Sequence, residues 1–282
     1  MFYRLFRLDL KCGLLSQWKK YILAILFFFT CSVIFILQWK NQQRAMGYAL
    51  GVTPSLGDFL LFFFGGCDKY VFTPGRPFLF PAQWILLILF SAYLNLQYAS
   101  DNLYGVGVHA LIHSKSRGLW WLSKSVCVAV GMIIYFLFGI LTTVVACFVL
   151  GGTPSLEIHP SVMQTLLEIF SMQMRNPLGD MLITYLLVCT VVLALCQLQI
   201  FLSILVNPMV SFMIIAAILL LSAYFVTPFL IGNFAMPVRS GQFLMEGLNP
   251  AAGFIFAAGI FVVSLLGGWA YCRHMDILGK DE

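Results

Sequence analysis

An all-α membrane protein with six crossings is predicted by three features of the chain. Hydrophobic residues fill 61% of the 282 positions and charged residues only 10%, with a mean hydropathy of +0.94. A soluble domain carries roughly 25% charged residues. Apolar runs recur at about the 20 residues that a helix needs to span hydrocarbon. Numbered alternately in and out, the ends of those runs place most Lys and Arg on one side, which sets orientation. The net charge of +5 is therefore read by position along the chain, and not as a nucleic-acid signal.

Residues 1–20, MFYRLFRLDLKCGLLSQWKK, are amphipathic, with Phe2, Phe6, Leu10 and Leu14 on one face and Arg4, Arg7 and Lys11 on the other. Such a helix lies in the membrane interface with its basic side toward anionic headgroups. Trp18, Lys19 and Lys20 anchor the first crossing, residues 21–37. Its apolar run is too long for a signal core and no small-x-small site follows, so it reads as an uncleaved membrane helix. In the polar residues 38–77, the apolar piece 59–66 is too short to span and is expected to dip into the outer leaflet as a re-entrant or interfacial piece.

Residues 78–96 form the second crossing and 126–150 the third. Between them lies YASDNLYGVGVHALIHSKSRGLWWLSK, the one long internal polar stretch on the basic side. Read as a helix from Ser100 or Asp101, it aligns Leu103, Gly107 and Leu111 in one row and Tyr104, Val108 and Ile112 in the next. A basic turn with Lys115 and Arg117 follows, and then the Trp120–Trp121 pair at re-entry into lipid. The spacing fits two uses equally: docking of another protein, or rest on the headgroups.

Residues 151–180 form a polar loop with a short helix after Pro160. The apolar stretch 181–231 must fold back, and Asn207-Pro208 is its one internal break with turn chemistry. That gives crossings at 181–206 and 209–231. An irregular segment, 232–249, leads to the last crossing, 250–272, and a charged tail. With both termini cytoplasmic, ten basic residues face inward and six outward.

Few side chains suggest chemistry. His109 and His113 have the four-residue spacing of a shared metal site, but only Asp101 stands by as a third ligand, so a polar contact face is expected and no metal. The eight Cys form no CxxC pair and read as small apolar fillers. No Asp, Glu, Lys, Arg or His falls in the middle of a predicted crossing, which weighs against an ion-coupled carrier or an intramembrane enzyme. Gln197 and Gln199 read first as interhelical hydrogen bonders, with a polar cavity around them as the functional alternative. TPSL occurs at Thr53–Leu56 and again at Thr153–Leu156; this is common turn material and is taken as coincidence. No G-x-x-x-x-G-K-[ST] loop is present, so ATP-driven work requires a second polypeptide.

This layout resembles the permease subunits of the type-two ABC exporter family, which export drugs, antibiotics and polysaccharides. The closest local match is SKSRGLWWLSKSV, Ser114 to Val126, similar to the family's basic turn and Trp-rich start of the third helix. SDNLYGVGVHAL stands where the family often has an acidic-Gly-Thr run. The resemblance implies an interfacial helix at 1–20, a cytoplasmic coupling helix at 101–113, an inner turn at Asn207-Pro208 and a re-entrant outer segment at 232–249.

It also implies partners: an ATP-binding cassette ATPase that carries ATP and Mg, and a second permease chain, identical or homologous. In that reading Leu103, Tyr104, Val108, Leu111 and Ile112 form the ATPase-docking ridge, with His109, His113, Lys115 and Arg117 as its polar rim. The chain would have no catalytic residues and would sit in a bacterial plasma membrane. Its 27 Phe and small outer loops favour a hydrophobic or amphipathic cargo such as a peptide, drug or lipid. The alternative is a non-transporting immunity or sensor protein for an antimicrobial peptide.

Overall fold

The structure is a computed structural model that describes residues 2–45, 52–70, 78, 80–96, 98, 117–167, 176–244 and 246–274. Among these every regular element is helical, and the only β contacts are two isolated bridges. In chain order the α-helices are α1 (Phe2–Asp9), α2 (Trp18–Ala45), α3 (Leu56–Phe64), α4 (Ala82–Leu94), α5 (Arg117–Leu150), α6 (Pro160–Leu167), α7 (Pro177–Leu205), α8 (Pro208–Tyr224) and α9 (Pro250–His274). A π-helical turn, Leu10–Leu14, and a 3-10 turn, Leu15–Gln17, join α1 to α2.

Four helical runs are long and apolar enough to cross a membrane: Leu15–Ala45, α5, α7 and α9. The predicted second and fifth crossings carry shorter helices of 13 and 17 residues. At 1.5 Å per residue these reach about 20 and 26 Å, less than a full hydrocarbon thickness. α8 stops at Tyr224 because Pro228 lies ahead and the backbone turns extended at Phe225. α5 is the longest, 34 residues or about 50 Å, and packs against α1, α2, α3, α7 and α9.

Three helices start on the same dipeptide. Asn176-Pro177, Asn207-Pro208 and Asn249-Pro250 open α7, α8 and α9, and each Asn side-chain oxygen accepts a backbone N–H, from Gly179 at 3.2 Å, Met209 at 2.9 Å and Ala251 at 2.9 Å. Asn satisfies an otherwise orphaned donor, while Pro at the first helical position has no N–H to lose. The second of these is the hairpin expected at Asn207-Pro208.

The bundle has two distinct ends. At the N-terminal end α1 lies against the start of α5. At the far end α3 enters the bundle, with eight of its nine residues buried: Leu56, Gly57, Asp58, Phe59, Leu60, Leu61, Phe63 and Phe64. Most of the apolar piece 59–66 thus lies in a helix buried by its neighbours, and a helix apolar all round is stable only when covered on all sides. A capping box starts it: Ser55 Oγ accepts from Asp58 N at 3.2 Å, and Asp58 Oδ2 accepts from Ser55 N at 2.9 Å.

The two TPSL segments, read as coincidence, lie side by side. Ser55 and Thr153 form a parallel bridge. Thr153 N donates to Pro54 O at 2.9 Å, Leu56 N to Thr153 O at 2.9 Å, and Gly57 N to Ser155 O at 3.2 Å. Gly151, with φ +84°, turns the chain out of α5 into the second segment. At Gly57 the Leu156 carbonyl lies where a Cβ would stand, so only glycine admits this approach.

Candidate functional site

At the N-terminal end, Asp9 is buried, facing away from the exposed Arg7 and Lys11. Positions 7, 9 and 11 lie on opposite faces because two residues turn a helix by about 200°. Asp9 pairs with Lys124, accepts from Ser123 Oγ at 2.5 Å, and offers its carbonyl to Cys127 Sγ at 3.7 Å. The Lys124 ammonium also sits 4.7 Å from the Tyr98 ring centre and 5.4 Å from that of Trp120. Lys124, expected at the membrane surface, is thus fully internal. Trp120 and Trp121 are likewise buried, and Trp121 Nε1 donates to Leu265 O of α9 at 2.8 Å. The buried row of α1 is Leu5–Asp9–Gly13 across its end, while Phe2, Phe6, Leu10 and Leu14 are only half covered.

This brace flanks the predicted docking segment. Leu103, Tyr104, Val108, His109, Leu111, Ile112, His113 and Lys115 lie outside the described residues. Arg117, the first residue of α5, is exposed. The helix expected at 101–113 also lies outside them.

Gln197 and Gln199 are both fully buried on α7. Gln197 Nε2 donates to Ser125 Oγ of α5 at 2.9 Å, the interhelical bond expected of it. Gln197 Oε1 and both amide atoms of Gln199 find no partner among the described residues. Buried amides are normally paired, and each orphaned group costs about 1–3 kcal/mol. Two residues apart on one helix, the two side chains point to different neighbours, so the structure does not bring them into one cluster.

The far end carries two polar centres. Asp58 is wholly buried; Oδ1 accepts from His159 N at 2.8 Å and Oδ2 faces His159 Nδ1 at 2.8 Å. Burial raises its carboxyl above the ordinary value, and hydrogen bonds from Ser55 N and His159 oppose the rise. The second centre is Arg239, 3% exposed and without a carboxylate contact among the described residues. Its guanidinium donates to Cys67 O at 2.8 Å, Ser222 O at 2.5 Å, Ala223 O at 2.9 Å, Asp68 O at 3.3 Å and the side-chain oxygen of Asn233.

Ser222 and Ala223 lie in the last turn of α8, where carbonyls lack helical partners and carry partial negative charge. Burial lowers the guanidinium from its ordinary value, countered by Cys67 and Asp68, and raises the Cys67 thiol, countered by Arg239. Trp84 Nε1 adds a bond to Ala235 O at 2.9 Å, so the irregular 3-10 turns at 231–239 are fastened to the chain just after α3, to α4 and to α8.

The sequence reading missed Asp9, Asp58, His159 and Arg239. A signal existed for the first two, since Asp9 and Asp58 are the only acidic residues in the first 58. Their partners are over 100 residues away in the chain. Among the described residues no three His, Cys, Asp or Glu gather as a metal set, and the cysteines there form no disulfide. An apolar groove of about 670 Å³ opens on the flank of α9, lined by Phe229, Phe234, Ile255, Phe256, Gly259 and Val263 among others.

No curated relative and no solved structure matches this chain. One family profile does, over residues 58–278, which covers both far-end centres and both glutamines but not α1 or α2. That span is well over half of the sequence, and the chain belongs to the family described as Protein of unknown function (DUF2705).

Proposed function

We propose that this chain is the membrane-spanning permease subunit of an ATP-driven exporter of the ABC type. It would cross the membrane six times with both termini cytoplasmic, pair with a second permease chain, and line a path for a hydrophobic or amphipathic cargo. ATP and Mg would be held by a separate ATPase docked on residues 101–117.

The observation that carries the reading is the Asp9–Lys124 brace. It ties the interfacial helix to the start of α5, directly after the proposed docking segment. A push on that segment would then move α1 and a rigid helix of about 50 Å together, delivering motion to the far end without chemistry in between. A buried ion pair broken by movement strands a charge, so the two elements travel as one.

The bundle itself supplies no driving force. The titratable side chains in the described helices are Tyr and Cys apart from residues near the helix ends, and uphill transport by a proton relay needs intramembrane carboxylates, His or Lys. Gln197 and Gln199 would line the path once helices part, where their free amide atoms could meet cargo or water.

Co-purification tests the reading. Replacing Leu111 and Ile112 with Asp should abolish recovery of an ATPase subunit with this chain while membrane insertion is kept. Unchanged recovery would refute the docking assignment, and cargo transport by the purified chain without ATPase would refute the exporter reading.

A further inference from the structure

We propose that Asp58 and His159 form a proton-operated clasp between the two Thr-Pro-Ser-Leu loops, closed when the pair shares an added proton and loosened when it is lost. This goes beyond the exporter reading and does not depend on it.

The geometry is that of a single carboxylate tying two loops. Ser55, from the first loop, donates its N–H to Oδ2 at 2.9 Å. His159, beyond the second, donates its N–H to Oδ1 at 2.8 Å and sets Nδ1 2.8 Å from Oδ2. Asp58 has no exposure, whereas the His159 side chain is 34% exposed and can exchange protons with water. Protonated imidazole makes the pair neutral overall. Neutral imidazole leaves one buried anion held by hydrogen bonds alone, and a buried charge is costly unless paired.

Among the described residues little else fixes this charge. From α5 comes Cys147, whose thiol donates to Thr153 O at 3.2 Å. Lys40 and Arg44 of α2 are exposed. α4 and α6 contribute no acid or base at this junction, and Tyr185 of α7 packs on Phe64 at the opposite end of α3. Glu157 is exposed and supplies only its carbonyl, to Ser55 Oγ. The charge state of the dyad therefore decides how firmly the three backbone bonds between the loops hold.

Histidine ordinarily changes charge between about pH 5 and 8. Hydrogen–deuterium exchange of the full chain in lipid nanodiscs, at about pH 5.5 and about pH 8 and corrected for intrinsic rates, reads the Leu56, Gly57 and Thr153 amides that bridge the loops. Their protection should fall about tenfold at the higher pH, the loss expected for one charge-assisted bond. His159→Gln should lower protection at the acidic pH to the alkaline level and flatten the profile. Asp58→Asn, nearly isosteric, is the second variant and should also be flat. Equal wild-type protection at both pH values overturns the clasp. So does an unchanged pH response in either variant that keeps α3 protected.

Discussion

The ammonium of Lys124 is held against the carboxylate of Asp9 with both side chains almost shut off from water, at 1% and 4% of full exposure. Ser123 shares the carboxylate and the Tyr98 and Trp120 rings flank the ammonium. A charge so placed has no solvent to fall back on. α1 cannot lift away without leaving it bare.

Removing one partner should therefore hurt more than removing both. Asp9→Ala or Lys124→Met should each destabilise the protein by about 3–5 kcal/mol, and the double substitution by clearly less. Thermal melting in detergent, run as a double-mutant cycle, checks this. Additive losses would show that the two residues act independently.

Arg239 is predicted to fasten the far end through five donors in a fork that lysine cannot imitate. Arg239→Met strands the Ser222 and Cys67 carbonyls, each worth about 1–3 kcal/mol when left dry, and leaves that of Ala223 only the Cys67 thiol at 3.4 Å. Arg239→Lys should recover only part of the loss. Maleimide labelling of Cys67, which lies 3.3 Å from Nη2, should become slower with Met, because the positive charge that opposes the rise of its thiol is gone, and stay closer to the parent rate with Lys, which keeps a positive charge.

Gln199 separates stability from function. Its amide atoms lack partners within the described bundle, so Gln199→Leu should leave folding unchanged or raise stability by about 1–3 kcal/mol. If the amide serves a transport path, the same change lowers cargo movement in vesicles that also contain the ATPase. A Gln199→Leu protein that melts well below the parent would contradict the observed lack of partners.

Asp58 adds a pH dependence of fixed sign. Burial raises its carboxyl above the unperturbed 3.8, so the folded chain holds this proton more tightly than the unfolded one. The stabilisation is complete below about pH 4 and is lost as pH rises through the folded value. Melting temperature measured upward from that point should decline in the parent and decline less in Asp58→Asn.

Much of the architecture was legible because it is written in local chemistry. The long apolar runs announced α2, α5, α7 and α9. The break at Asn207-Pro208 gave the hairpin, and the same dipeptide at 176 and 249 marks two more helix starts that a search for it would have found. Phe59–Gly66 was readable from its length as an apolar piece too short to span, and the structure buries most of it. Trp120 and Trp121 misled, because a Trp pair beside Lys looks the same in sequence whether it faces headgroups or a neighbouring helix.

By itself, then, the sequence determined that this is a helical membrane protein, where its long apolar runs lie, and that no charge falls in the middle of those runs. Those traits depend on residues within a few turns of one another. Only the tertiary structure decided that Asp9 would meet Lys124, that Asp58 would meet His159, and that two matching turns would lie edge to edge. Each of those pairings joins segments about 100 residues apart, and what selects them is the cost of leaving a polar group unpartnered once water is excluded, a cost that exists only after the bundle has closed.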